Sequence, residues 1–265
     1  PFPLSPFPFP RTMHQPVGPP FSETLVRRLR EARSVAVLTG AGISAESGVP
    51  TFRDPGGLWQ QFRPEELANV EAFLANPALV QGWYAHRRAV VEDVAPNPGH
   101  HALAALERWV VARGGEFLLA TQNVDGLHAR AGSEHVVELH GSITRSHCID
   151  CFTPTTDAGR DGAALTCEAC GGLVRPDVVW FGEALPEEAF AEAEQAAALA
   201  DVYLSVGTSA VVYPAAGLPQ RARQAGAYVA EINPQPSDIA GRLNEQVRGR
   251  AGEVLPELVA ALREG

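Results

Sequence analysis

The stretch that most constrains the fold runs from Ser34 to Ala45. Residues 34–38, Ser-Val-Ala-Val-Leu, are an apolar, β-branched run of the length of a buried strand. Through Thr39 they pass into Gly40-Ala41-Gly42-Ile43-Ser44-Ala45. The spacing fits G-x-G-x-x-G/A, in which the glycines let the backbone approach a pyrophosphate. A helix beginning near Ser44 would aim its unpaired N–H groups at the same anion. A glycine turn between strand and helix is also ordinary loop chemistry, so the motif alone leaves both readings open.

An ordinary dehydrogenase would place an acid for the ribose about 20 residues after the glycines, at the end of a second strand. Position 60 is Gln60, and Glu65 and Glu66 sit in Arg-Pro-Glu-Glu-Leu, which starts a helix. A nucleotide is therefore expected to be held by the polar loop from Ser44 to Arg53 itself.

All 21 basic residues are arginine. The chain thus has no P-loop lysine, no Schiff-base lysine and no lysine general base. A formal charge of -10 speaks against a general nucleic-acid surface. No apolar run reaches the length of a membrane span, and residues 1–20, with eight prolines, read as a disordered tail rather than a signal peptide. The expected setting is cytoplasmic, without membrane or nucleic-acid partners and as a monomer.

The four cysteines, Cys148, Cys151, Cys167 and Cys170, follow C-x2-C-x15-C-x2-C. Two such knuckles bring four thiolates to the corners of a tetrahedron, the layout of a closed structural zinc site. Two disulfides and a redox C-x-x-C are the competing readings; neither has a secretion signal or a suitable context behind it.

In chain order, Ser22 caps a helix ending near Arg33, and helices are expected over Pro64–Leu74, Pro77–Val91 and His100–Val111. Strands are expected over Glu116–Ala120 and His135–Leu139, each ending in a polar cluster: Thr121-Gln122-Asn123-Val124-Asp125-Gly126-Leu127-His128, then His140-Gly141-Ser142. The α/β pattern resumes with strands at Asp177–Phe181, Asp201–Val206 and Tyr228–Ile232, and helices at Pro186–Ala200, Pro219–Ala225 and Gly252–Arg263. Strands alternating with helices imply a Rossmann-like, mostly parallel sheet covered on both faces. The chain divides into a tail (1–20), a Rossmann-like domain (21–54, 98–142 and 175–265), a helical insertion (55–97) and a zinc-binding module (143–174). Ligands of such sheets bind beyond the carboxyl ends of the strands, where the polar clusters converge.

Taken together, Gly40–Ser44 through Pro50–Arg53, Gln122-Asn123-Val124-Asp125, His140-Gly141, the paired cysteines, Gly207-Thr208-Ser209 and Asn233 resemble the motif series of the sirtuins, NAD-dependent protein deacylases, in order over residues 21–263. The resemblance implies that Gly40, Ala41, Gly42, Ile43, Arg53, Gly207, Thr208, Ser209, Asn233 and Ala251 hold the phosphates, ribose and adenine of NAD, a consumed co-substrate. It implies that Gln122, Asn123 and Asp125 line the nicotinamide end, with Asn123 and Asp125 sharing in catalysis, and that His140 is the general base. Val178 to Glu183, with Phe181, Gly182 and Glu183, would form the edge strand to which an acylated peptide adds.

Tyr84 and Arg87, three residues apart on one helix face, are similar to the Tyr-x-x-Arg pair of sirtuins that remove succinyl and malonyl groups, and Ala68 would leave room for such a group. The expected activity is removal of acetyl and acidic acyl groups from lysine, giving nicotinamide and O-acyl-ADP-ribose, with one structural Zn2+. The alternatives are an ADP-ribosyltransferase using the same NAD site and a non-catalytic zinc-containing NAD-binding module.

Overall fold

A computed structural model describes residues 19–50, 64–155 and 163–264. Arg53 and most of the Pro-rich tail lie outside them.

The chain opens with helix α1 (Glu23–Glu31), whose N-terminus is capped by the Ser22 hydroxyl accepting the Leu25 N–H at 3.1 Å. Strand β1 (Ser34–Thr39) follows. Its alternation sets the layers: Val35 and Val37 face one apolar cluster, Ala36 and Leu38 the other. Helices α2 (Ala41–Ala45), α3 (Pro64–Leu67), α4 (Val70–Ala75), α5 (Pro77–Asp93) and α6 (Pro98–Val111) lead to β2 (Glu116–Thr121). Next come α7 (Leu127–Arg130), β3 (Val136–Glu138), β4 (Gly141–Cys148), β5 (Pro154–Thr155) and β6 (Val174–Val178). The chain closes with α8 (Glu187–Leu199), β7 (Val202–Val206), α9 (Leu218–Ala225), β8 (Tyr228–Ile232), β9 (Glu245–Val247) and α10 (Ala251–Arg263).

Six strands form one parallel sheet in the order β3-β2-β1-β7-β8-β9. The order reverses between β1 and β7, the doubly wound arrangement, and the crevice at that switch point is where such sheets bind ligands. One face is covered by Leu25 and Leu29 of α1, Leu103 and Leu106 of α6, and Leu255 and Leu258 of α10. The other is covered by Ala193 and Ala197 of α8 with Leu218 and Ala222 of α9. Burial on both faces is what makes β1 and β7 read as continuous apolar runs.

A second sheet, β5-β4-β6, is antiparallel and carries the cysteine lobe. A third apolar cluster joins this sheet to the helical excursion: Phe73, Val80 and Tyr84 pack with Ile143, Val178 and Trp180. Among the described residues no helix is long and apolar enough to cross a membrane.

The structure corrects several sequence expectations. The helix after the glycine turn starts at Ala41, not Ser44, with Gly40 as its N-cap. The expected helix Pro64–Leu74 is two short helices, because the Asn69 side chain accepts the Ala72 N–H at 2.7 Å and restarts the turn. The strand expected over Asp177–Phe181 is β6, which ends at Val178 and pairs antiparallel with β4 rather than joining the parallel sheet. Strand β9 was not expected: three residues, Glu-Gln-Val, carry too little apolar pattern.

Candidate active site

The two glycine turns at the switch point press backbone against backbone. The Gly42 N–H donates to Gly207 O at 2.8 Å, and the Gly40 N–H to Val206 O at 3.0 Å. A Cβ on Gly42 would lie 2.7 Å from Gly207 O, and Gly207 itself sits at φ +60, so both positions demand glycine. The glycines of the opening motif therefore serve first to let β1 and β7 turn side by side; Ala41 forms the first helical residue between them. Ile43 buries its whole side chain in the core, so its side chain anchors the turn rather than facing the crevice.

Around this opening the polar clusters converge as expected. Gln122 Nε2 donates to Thr208 Oγ1 at 3.1 Å, and Asn233 Nδ2 to Thr208 O at 2.9 Å. Ser209 is tied to the following loop through the Asp238 N–H, 3.4 Å from Ser209 O. Ala251 opens α10, and the next N–H, of Gly252, donates to Glu46 at 3.0 Å, which fixes that helix end to the residue that caps α2.

The inner end is a closed polar network. Asn123 Nδ2 donates to Gly40 O and to Ser44 Oγ, both at 3.1 Å, and Ser44 Oγ donates to Asp125 Oδ2 at 2.7 Å. The Leu127 N–H donates to the other Asp125 oxygen at 2.9 Å. Burial pushes the Asp125 carboxyl up against the opposing pull of those two hydrogen bonds and of Arg130 and Arg87; desolvation wins. Behind it, the rings of His100 and His128 meet at a tilt of 57°, with centroids 4.9 Å apart. His128 Nε2 is 2.9 Å from Thr39 Oγ1, and burial lowers the two imidazoles to about 4 and about 3 respectively. Thr39, Ser44, His100 and His128 were not assigned site roles in the sequence: Thr39 and His128 belong to polar stretches after the expected strands, Ser44 opens the expected nucleotide loop, and His100 gave no signal beyond its helix.

His140 follows β3, half-buried, with Nδ1 2.8 Å from Gln122 O. A carbonyl only accepts, so Nδ1 carries the proton and Nε2 is left as a basic lone pair. Burial lowers its pKa below the ordinary value, against the opposing effect of that hydrogen bond, which favours the neutral imidazole at neutral pH.

The opposite wall is aromatic. Tyr84 is wholly buried, and its oxygen accepts the Trp180 Nε1–H at 2.8 Å. The Arg87 guanidinium lies 4.8 Å from the Trp83 ring centroid and 5.7 Å from that of Tyr84, within electrostatic reach of Asp125. Tyr84 and Arg87 thus share the face expected of their spacing. Ala68 is buried, and its carbonyl accepts the Phe181 N–H at 2.9 Å.

The edge strand expected over Val178–Glu183 stops at Val178. Beyond it the Val179 N–H donates to His140 O, and Glu183 folds back on the Trp180 N–H and on Arg175, the latter at 2.8 Å. The turn this makes leaves Phe181 and Gly182 exposed.

The four cysteines come together in the lobe. Their Sγ atoms all lie within 4.8 Å of one another, with Cys148–Cys170 at 3.5 Å, Cys151–Cys167 at 3.7 Å and Cys170–Cys151 at 3.4 Å. Four thiolates at about 2.3 Å from one ion would be about 3.8 Å apart, whereas a disulfide is about 2.05 Å long. The donor set and spacing fit a tetrahedral zinc ion and do not fit disulfides.

The fold and site together define a doubly wound dinucleotide-binding scaffold that carries a tetrathiolate lobe. The profile of the Sir2 family matches residues 40–214, and the chain belongs to that family. The chain is 55% identical over 236 residues to NAD-dependent protein deacylase 2 of Pyrobaculum aerophilum, covering 89% of this chain and 93% of that protein. Its fold is similar to the crystal structure of a Sir2 homologue–NAD complex, with TM-score 0.86 and 45% identity over 92% of this chain and 94% of the other. It is also similar to a Sir2–p53 peptide–NAD+ structure, with TM-score 0.79 and 29% identity over 90% and 97%.

Proposed function

We propose that this chain is an NAD-dependent protein-lysine deacylase that removes acetyl groups and acidic acyl groups such as succinyl and malonyl. One observation carries the reading. His140, its Nδ1 held by Gln122 O, stands beside the polar network of Ser44, Asn123 and Asp125, and the half-buried Arg87 guanidinium is within electrostatic reach of that same Asp125. A base, a dinucleotide crevice and a cation for an acidic acyl tail so belong to one site.

The residue roles in this reading are those the family resemblance implies, and the arrangement supports them. The turns at Gly40, Ala41, Gly42 and Gly207, Thr208, Ser209 take the phosphates, with Arg53 assigned to the same group by the family resemblance. Asn233 and Ala251 take the adenosine end, and Gln122, Asn123 and Asp125 the nicotinamide end. When bound, NAD supplies a ribose carbon that becomes electrophilic as nicotinamide leaves. Asn123, Ser44 and Asp125 keep that end of the crevice hydrogen-bonded to itself and closed to bulk water, which the trapping of an acyl oxygen requires. His140 Nε2 takes a proton from a ribose hydroxyl, the step for which a neutral imidazole is suited. Phe181 and Gly182 present the exposed backbone for the peptide, while Val178 and Glu183 hold that turn in place. Arg87 pairs with the carboxylate of an acidic acyl group, and Tyr84 adds a hydrogen bond.

Cys148, Cys151, Cys167 and Cys170 would hold one Zn2+; with every position taken by protein, the ion stabilises the lobe and has no open site for chemistry. Reduced thiolates of this kind belong to a reducing compartment, which supports a cytoplasmic setting. The formal charge of -10 supports work without a nucleic-acid partner.

The test is incubation with NAD and acetyl-, malonyl- and succinyl-lysine peptides, followed by mass spectrometry. Loss of the acyl group from all three is expected. Intact peptides in every reaction would refute the activity, and loss of acetyl alone would refute the removal of acidic acyl groups.

A further inference from the structure

We infer that Trp180 is the positioning residue that makes the Tyr84 hydroxyl a dedicated hydrogen-bond donor toward an acyl carboxylate, and so sets the balance between acidic and neutral acyl groups. The inference rests on the reading of Tyr84 and Arg87 given above and deepens it.

A phenol has one O–H to give and lone pairs to receive with, whereas an indole N–H can only donate. At 2.8 Å the direction of the Trp180–Tyr84 bond is therefore fixed: Trp180 Nε1 gives and the Tyr84 oxygen receives. The phenolic proton is then the group that Tyr84 has left to offer. Tyr84 is wholly buried and shares a helix face with Arg87, whose guanidinium lies 5.7 Å from the Tyr84 ring centroid. A carboxylate entering beside Arg87 meets a cation and an O–H donor together. An acetyl methyl group in the same place has no acceptor for that proton.

Trp180 is itself held on all sides. Its ring packs on Phe73 with centroids 5.1 Å apart, and the Arg175 guanidinium lies 3.5 Å from the Trp180 ring centroid. A cation on the indole face draws π density and strengthens the N–H as a donor. Arg175 in turn pairs with Glu183, which also accepts the Trp180 backbone N–H at 2.7 Å. The chain Glu183–Arg175–Trp180–Tyr84 thus runs from the exposed turn at Phe181 and Gly182 to the buried end of the acyl pocket.

The test compares kcat/KM on succinyl- and acetyl-lysine peptides of one sequence. The proteins are wild type, Arg87→Met, Tyr84→Phe, Trp180→Phe, Trp180→β-(3-benzothienyl)alanine, and Tyr84→Phe combined with each Trp180 replacement. The benzothienyl side chain keeps the shape of indole and lacks the N–H, so a Phe variant that fails to fold leaves the question decidable. Loss of the N–H should lower the succinyl value about tenfold and leave the acetyl value within about twofold, the scale of one hydrogen bond to a charged group. In the Tyr84→Phe background the same replacement should move the succinyl-to-acetyl ratio by less than about twofold, because the two side chains act as one unit. Equal losses on both peptides, or additive effects in the double variants, would overturn the inference. If Arg87→Met selectively loses succinyl activity while the Trp180 replacements leave the ratio unchanged, the pair stands and the role of Trp180 falls. A wild type inactive on succinyl and malonyl peptides removes both.

Discussion

The two walls of the site are built differently. On the dinucleotide side, Asn123, Ser44, Asp125, Gln122 and Thr208 bond to one another and to the backbone of the glycine turns. These groups come from the carboxyl ends of β1, β2 and β7, so the sheet that forms the core also aligns them. On the side proposed to take the acyl group, Phe73, Tyr84 and Trp180 come from the helical excursion and the turn after β6, and a single hydrogen bond ties the phenol to the indole. The first wall is determined by the core itself; the second depends on a few contacts between distant segments. Changes in the first should disable every reaction, and changes in the second should redistribute activity among acyl groups.

The largest effect is expected at the base. His140→Ala should lower kcat on acetyl, malonyl and succinyl peptides alike by about 10²–10⁴-fold, the scale of general-base catalysis, as measured by nicotinamide release. A loss confined to one acyl group would break the comparison. Arg87→Met should cost about 10²-fold in kcat/KM on succinyl peptide, the scale of a charge-assisted pair, and leave acetyl peptide unchanged or improved. Equal losses there would place Arg87 with the dinucleotide wall.

Removing metal with a chelator should lower Tm by about 10 °C or more, because the lobe's turns are held to β4 through four thiolates rather than by a large apolar core. An unchanged Tm in fully metal-free protein would contradict the tetrathiolate reading.

The smallest effects are those of pH. His140 is lowered from 6.5, so the neutral base persists at pH 7 and kcat/KM should fall only as pH drops through a value below 6.5. His100 and His128 are lowered to about 4 and about 3. Below an unfolded value of about 6.5 the unfolded chain binds protons that the folded chain refuses, so their contribution is complete above about pH 6.5 and is lost on descent toward pH 4 and 3. Urea unfolding across that range checks the sign.

The contrast also explains what could be read from the sequence. The glycine turns, Gln122-Asn123-Val124-Asp125 and His140 were legible because each sits directly after an apolar run, and β1, β2, β7 and β8 were visible as such runs. The cysteine pairs were legible from spacing alone. The Tyr84–Trp180 contact joins residues 96 apart through packing, and no local pattern announces it. Glu183 looked like part of an edge strand, because nothing in Trp-Phe-Gly-Glu says that Arg175 would fold it back. The pairing of His100 with His128 was not legible: His100 alone reads as an ordinary helix residue and His128 as the end of a polar cluster, and only the approach of α6 to α7 brings their tilted rings together.

The most direct test of the account is the stoichiometry of one reaction: wild-type protein, NAD and a succinyl-lysine peptide, with all products resolved by mass spectrometry. The account predicts equal amounts of nicotinamide, unmodified lysine peptide and O-succinyl-ADP-ribose. Peptide that gains the mass of ADP-ribose while keeping its succinyl group, or peptide that loses succinyl without release of nicotinamide, would contradict it.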